Sequence, residues 1–205
     1  MKTARCKTGL TLVELLIAVA VVVILISITI VAGNSLRAQA EERLAAGTIS
    51  ILVTALEQYY EFHDEFPPDC AGCDSVTLAE TLGGTSISGG VYHPAFASSS
   101  ALYYYLSRTP NSREILDSIS ESLITAEGPA GFGPLVLRTS LGEEVTLLRV
   151  IDPWVDPDPV TNPEPKLLQK YLRYSYEEGW NFPRITSAGL DGKFGTADDI
   201  TSKGM

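Results

Sequence analysis

From Leu10 to Ala32 every residue is apolar or a small hydroxyl, with one exception, Glu14. A run of that length spans the hydrocarbon core of a bilayer as a helix, which needs roughly 20 residues. It follows a short basic leader, Met1 to Thr8, with Lys2, Arg5 and Lys7 and no acid. A secretory signal has a shorter apolar stretch and then a small-residue cleavage site. Here the run passes straight into an amphipathic pattern, so the segment is expected to be kept. The three positive charges predict a cytoplasmic leader and an extracytoplasmic C-terminal domain. A carboxylate inside an apolar membrane helix costs on the order of 2.5–3.5 kcal/mol, and such a charge usually marks a function. A charge near the helix end that snorkels to the interface is the simple alternative for Glu14.

Beyond the run the pattern stays helical. Leu36 to Leu44 is polar but helix-forming, and Leu52, Ala55, Leu56, Tyr59, Phe62 and Phe66 recur at helical spacing as a stripe that must pack against something. Pro67-Pro68 should end the helix at Phe66, because proline lacks the amide and disfavours helix in the residue before it. Residues 69–90 read as loop-rich with a short helix over Val76–Leu82. Ser98–Arg108 and Ser112–Leu123 read as further short helices, and Gly128–Pro134 as a breaker cluster. Leu135–Leu137 and Val145–Ile151 read as strands joined by a turn at Ser140-Leu141-Gly142. Asp156 to Pro165 is a proline-rich surface loop, and Lys170–Tyr176 and Arg184–Thr186 are the last strands. The expected class is α+β: a long N-terminal helix packed on short helices and a small antiparallel sheet.

The formal net charge is −10, and loss of the leader would make it more negative. That argues against nucleic-acid binding, which wants a basic face. Cys6 would leave with the leader, so Cys70 and Cys73 remain. Zinc would need four ligands, and only His63 and His93 are spare; a thioredoxin-type motif opens a helix after a strand, whereas this pair follows a helix and Pro-Pro. A structural disulfide pinning the loop is favoured, ahead of a free pair and of redox catalysis. No Gly-x-Ser-x-Gly elbow, phosphate loop or HExxH motif is present, His63 beside Phe62 reads as a packing or surface residue, and no enzyme is expected.

Near the C-terminus, residues 186–200 place Asp191, Asp198 and Asp199 around glycines 189, 192 and 195. Calcium takes six to eight oxygen ligands, and glycines let a loop curl tightly enough to aim them inward. The order of an EF-hand is absent. On composition alone an acidic solvated turn explains the segment better than a site does.

Two resemblances bear on these readings. Gly9-Leu10-Thr11-Leu12-Val13-Glu14, followed by Leu15 to Val19, resembles the class III signal of type IV prepilins and pseudopilins. The resemblance implies cleavage between Gly9 and Leu10 by a prepilin peptidase, and methylation of the new Leu10 amine. It also implies that Glu14, fifth from the cut, pairs with the terminal amine of a neighbouring subunit. Leu10 stands where the family most often has Phe. Ala55 to Tyr60 with Phe66-Pro67-Pro68, Asp152-Pro153-Trp154, and Asp191-Gly192 followed by Asp198-Asp199-Ile200 resemble the major pseudopilin of type II secretion systems. That family's C-terminal loop holds one structural calcium. The resemblance implies Asp191, Asp198 and Asp199 as side-chain ligands, with the carbonyl of Ala188 beside them. Where the family continues Asp-Pro-Trp with Gly-Asn-Pro, this chain has Val155-Asp156-Pro157 and an insertion.

The expected organisation is a cleaved leader (1–9), a membrane and filament-core half-helix (10–33), an amphipathic spine (34–68) and a periplasmic head (69–205). The expected function is a pseudopilin subunit that leaves the inner membrane and polymerises into a periplasmic filament driving type II secretion. Its partners would be copies of itself, minor pseudopilins, the inner-membrane assembly platform and the prepilin peptidase. The alternatives are a type IV pilin or minor pilin for adhesion, motility or DNA uptake, and a membrane-anchored periplasmic binding protein that never polymerises. A thiol–disulfide oxidoreductase using Cys70 and Cys73 is a third.

Overall fold

The structure, a computed structural model, describes residues 12–89, 94–127, 134–154, 171–177 and 179–202, with backbone alone for 28–35. The leader with the Gly9–Leu10 junction, most of the Gly128–Pro134 cluster, the Asp156–Pro165 loop and Lys170 lie outside these residues. The chain divides into two compact units, Met1–Ala40 and Glu41–Met205.

The described part of the first unit is the N-terminal portion of helix α1, Leu12–His63. Over 12–27 every side chain is exposed. A face this apolar is unsuited to water and calls for lipid or another apolar surface. Among the described residues no helix is long and apolar enough to cross a membrane. Of the apolar run, side chains are described only for 12–27.

The second unit is α+β, as the sequence predicts. It is built on the rest of α1, whose buried residues Ala45, Thr48, Ile49, Leu52, Ala55, Leu56 and Tyr59 form one stripe. That stripe packs on Leu102 and Leu106 of helix α3 (Pro94–Arg108), on Leu116 of helix α4 (Pro110–Leu116), on Val150, Tyr174 and Ile185 from the strands, and on Leu172 beside them. Full burial of one such leucine stabilises by about 1.5–3 kcal/mol, so the stripe holds this half of the helix in place. The helix ends at His63, three residues short of the expected Phe66. Asp64 turns left-handed at φ 58° and its amide bonds back to the Tyr60 carbonyl, a helix terminus set before the prolines are reached. Phe62 therefore stays largely exposed, while Phe66 leaves the helix axis and packs on Tyr60, Tyr176 and Phe182.

A second cluster lies on the other side of α3. Phe96, Ala97 and Ala101 meet Leu78, Ala79 and Leu82 around helix α2 (Ser75–Thr81), with Leu135, Leu137, Leu147 and Tyr171. Asp74 caps α2 by accepting from the amides of Val76 and Thr77. Those bonds hold its carboxyl below the usual range.

The expected single sheet is three small antiparallel ones. Strand β3 (Val136–Thr139) lies between β1 (Gly84–Ser88) and β4 (Glu144–Thr146); β2 (Ile124–Thr125) pairs with β5 (Arg149–Val150); and β7 (Arg184–Ser187) lies between β6 (Arg173–Ser175) and β8 (Ile200–Thr201). The β3–β4 hairpin turns where expected, with Gly142 at φ 82°. Three expectations need correction. Val145–Ile151 is two strands in two sheets, because the chain leaves β3 after Thr146 and Arg149–Val150 pairs with β2 instead. The helix expected over Ser112–Leu123 stops at Leu116 and resumes as one 3₁₀ turn at Glu121–Leu123. Strand β1 runs through a segment expected to be loop.

Candidate functional site

The loop that carries the candidate ligands joins β7 to β8, and its base is firm. Ser187 pairs with Ile200 across the ladder, and the Ser202 hydroxyl accepts from the Ile185 amide at 2.9 Å. Gly189, Gly192 and Gly195 have positive φ of 64°, 66° and 89°, the left-handed turns that let residues 188–199 curl over themselves. Gly189 is also a point of close approach: a Cβ there would lie 2.3 Å from the Asp198 carbonyl oxygen and 2.7 Å from its Oδ2.

All three predicted aspartates come together in this loop, and the atom they share is a hydroxyl. The Oγ1 of Thr196 lies 2.6 Å from Asp198 Oδ1, 3.3 Å from Asp191 Oδ1, 3.5 Å from Asp199 Oδ1 and 3.1 Å from the Lys193 carbonyl. A hydroxyl has one proton to donate, so at most one of these four acceptors is satisfied at a time. Backbone donors reach each carboxylate as well: Asp198 Oδ2 accepts from Asp191 N at 2.9 Å, Asp199 Oδ2 from Gly195 N at 2.7 Å, and Asp191 Oδ1 from Lys193 N at 2.8 Å. The Thr196 hydroxyl, then the Asp191 amide, hold the Asp198 carboxyl below its usual range. Among the described residues no group of three or more His, Cys, Asp or Glu side chains is arranged as a metal site. The convergent groups are nonetheless all oxygens, three of them from carboxylates. That is the donor chemistry of a hard cation such as calcium, and the surplus of acceptors over donors at Thr196 fits one.

Ala188, the residue predicted to lend a carbonyl, is held in the base by a residue to which the sequence assigned no role. Asp152 is buried; it accepts from the Ser187 hydroxyl at 2.9 Å through Oδ1 and from the Ala188 amide at 2.8 Å through Oδ2. Burial pushes its carboxyl up to about 6 against the lowering effect of those donors, and the negative charge of Asp199 raises it further. Asp152 therefore senses the charge of the loop and fixes its first residues. Thr196 and Asp152 are the two residues sequence reasoning missed. A hydroxyl placed two residues before Asp198 was the available signal for the first; Asp152 was noticed only as part of Asp-Pro-Trp.

Cys70 and Cys73 are joined by a disulfide, and Cys70 is buried against the α2 cluster. His63 stacks on Tyr59 and its Nε2 lies 3.0 Å from the Thr109 hydroxyl, a packing role. Glu14 stands in the first turn of α1.

The prokaryotic N-terminal methylation motif matches residues 4–30, the leader and most of the apolar run. The match supports a protein of the pilin family, a type IV pilin-like precursor anchored in the membrane through its N-terminal segment. The motif implies processing by prepilin peptidase and assembly into filaments in general, and its family is structural rather than enzymatic. No curated protein and no solved structure matches the chain.

Proposed function

We propose that this chain is a pseudopilin, a subunit whose polymerisation into a periplasmic filament drives type II secretion, and that its β7–β8 loop binds one calcium ion. The methylation motif over 4–30 carries the filament-subunit reading. Cleavage between Gly9 and Leu10 would leave a free, methylated amine close to the carboxylate of Glu14 on a neighbouring subunit. Pairing the two in an apolar surrounding lowers the cost of burying either charge and fixes the axial register between subunits. Glu14→Ala should then give a membrane-resident, processed protein that does not assemble. Normal filaments from that variant, seen by electron microscopy, would sink the register argument.

The loop supports the pseudopilin reading over a pilin of the adhesive kind. Asp191, Asp198, Asp199 and the Ala188 carbonyl would hold the ion, which would supply the positive charge that three gathered carboxylates lack. Asp152 orients the Ala188 end of the loop from behind through its amide. The disulfide closes a short loop at 70–73 rather than a large C-terminal one, which also favours the pseudopilin over the adhesive pilin.

The test is the melting temperature of the full chain in detergent, with calcium and with chelator, and with Asp198→Ala as control. A ligand bound only by the folded state raises its stability in proportion to the logarithm of its concentration, by about 2.7 kcal/mol at one hundred times Kd. Saturable stabilisation that vanishes in Asp198→Ala supports the proposal. No shift would put the pilin or minor-pilin reading ahead.

A further inference from the structure

Strand β4 is an outer strand of its sheet, and a cleft of about 360 Å³ runs beside it, walled by α3 and α4. The register of the hairpin fixes which way the backbone of β4 points. Leu147 N donates to Leu135 O and Thr139 N to Glu143 O, so these residues form the hydrogen-bonded pairs with β3. In an antiparallel ladder such pairs alternate with non-bonded ones. Val136 faces Thr146 in a non-bonded pair, so the N–H and C=O of Thr146 point away from β3, to the open edge. Thr146 lines the cleft, and outside the strand ladder no backbone hydrogen bond engages its N–H or C=O among the described residues.

The opposite wall is basic in a chain that is otherwise acidic. Arg108 and Arg113 both line the cleft and are exposed, and neither has an ion-pair partner among the described residues. Arg108 lies over the Tyr104 ring, 4.1 Å from its centroid, which holds the guanidinium plane against the wall. Tyr103 adds a second ring, and Asp117 is the one acid in the lining. An open strand edge offers main-chain pairing to an extended segment, and arginine recognises carboxylates through a planar fork of donors.

We propose that this cleft is a docking site for an extended, acidic peptide segment of a partner protein. The segment adds to the edge of β4 through the backbone of Thr146 and sets its carboxylates against Arg108 and Arg113. The two features answer different parts of one ligand. The strand edge reads backbone and is indifferent to sequence, while the arginines select negative charge. The inference does not depend on the calcium reading or on the type of filament.

The test uses the full chain in detergent micelles and fluorescence anisotropy of a labelled six-residue peptide alternating glutamate with valine. Three comparison probes accompany it: a lysine–valine counterpart, a serine–valine counterpart, and the glutamate peptide with its central amides N-methylated. Saturable binding of the glutamate peptide is expected, at least tenfold tighter than that of the lysine and serine peptides. N-methylation should weaken it about tenfold, since it removes the donors that pair with the strand edge. R108E/R113E should weaken it at least tenfold while leaving the melting temperature within a few degrees. Because the peptide comparisons use the unaltered chain, they decide the matter even if that variant misfolds. Equal binding of the three unmethylated peptides would show an edge open to any strand, a second copy's included, and would overturn the acidic assignment. Absence of saturable binding, or binding indifferent to N-methylation, would overturn the docking site itself.

Discussion

Replacing Gly189 by alanine should disable the β7–β8 loop while leaving the fold intact, and the size of the effect follows from two separable costs. The first is conformational. At φ 64° an L-residue sits in the left-handed region, at about 1 kcal/mol relative to glycine. The second is steric. The new methyl would meet the Asp198 carbonyl oxygen at 2.3 Å and Asp198 Oδ2 at 2.7 Å, distances at which backbone has to move. Moving Asp198 breaks its bond from the Asp191 amide, worth about 1 kcal/mol, and withdraws its carboxylate from Thr196. Together the costs come to about 2–3 kcal/mol. Gly195 is the internal control. Its φ of 89° imposes the conformational cost, but a Cβ there meets nothing within 4 Å. For a domain of this size a loss of 1 kcal/mol lowers Tm by about 2–4 °C. Differential scanning calorimetry of both variants should show Gly189→Ala melting several degrees below Gly195→Ala. Gly189→Ala should also lose any calcium-dependent shift. Equal depressions would refute the close-approach argument, and a calcium response preserved in Gly189→Ala would detach the proposed ion from Asp198.

Further outcomes follow from the buried groups. The Asp152 carboxyl is raised to about 6 from an ordinary value near 3.8, so the folded state binds the proton more tightly than the unfolded chain. Its contribution to stability is accordingly largest below about pH 4 and falls as pH rises to 6, by about 3 kcal/mol in all. Denaturant melts of the parent minus those of Asp152→Asn should trace that slope between pH 4 and 7, and a flat difference would show that burial does not govern this group. Reduction of the Cys70–Cys73 bond releases a loop of only four residues, for which chain entropy gives about 2 kcal/mol, so reductant should lower Tm by about 4–8 °C and leave the fold in place. Arg149 is fully buried, donating through Nη2 to the Ala126 carbonyl and lying 3.8 Å from the Phe96 ring centroid, while Nε and Nη1 have no partner among the described residues. Burial lowers its guanidinium to about 10. Arg149→Met should therefore match or exceed the parent in stability, whereas Arg149→Ala should lose about 2 kcal/mol or more to the cavity it leaves; a large loss in the methionine variant would mean the charge is needed.

Local patterns carried most of the elements. The stripe from Leu52 to Tyr59 is a periodicity of one helix, and the turn at Gly142 needs only the residues that make it. Failures came where partners lie far along the chain. Val145–Ile151 reads as a single strand-like apolar run, and no glycine or proline marks the break. What divides it is that Ile124–Thr125 is available to pair with Arg149–Val150. Ser98-Ser99-Ser100 reads as the polar start of a helix, yet all three are buried. The Ser98 hydroxyl accepts from the Tyr174 amide and the Ser99 hydroxyl from the Val150 amide, so small polar residues are what let β5 and β6 approach α3. Helix α1 ends three residues early for a related reason. Proline forbids helix beyond a point, but the left-handed Asp64 and the packing of Phe66 against Tyr176 and Phe182 decide where before that point it stops.

The aspartates show the same division within one loop. That Asp191, Asp198 and Asp199 could converge was legible, since glycines at three-residue spacing between and before them permit a tight curl. What holds them against mutual repulsion was not. Three carboxylates meeting at the Thr196 hydroxyl are opposed by their own charge, and one shared proton cannot offset that. The offset comes from backbone amides of Asp191, Lys193 and Gly195, which the positive-φ glycines turn inward, and from Asp152, which anchors the Ser187–Ala188 end 35 residues away in sequence. Asp152 in turn feels the charge of Asp199. Any cation taken up among the three aspartates would weaken that repulsion and favour the ionised form of Asp152. The buried carboxylate that fixes the base of the loop is in this way coupled to whatever charge the loop accepts at its tip.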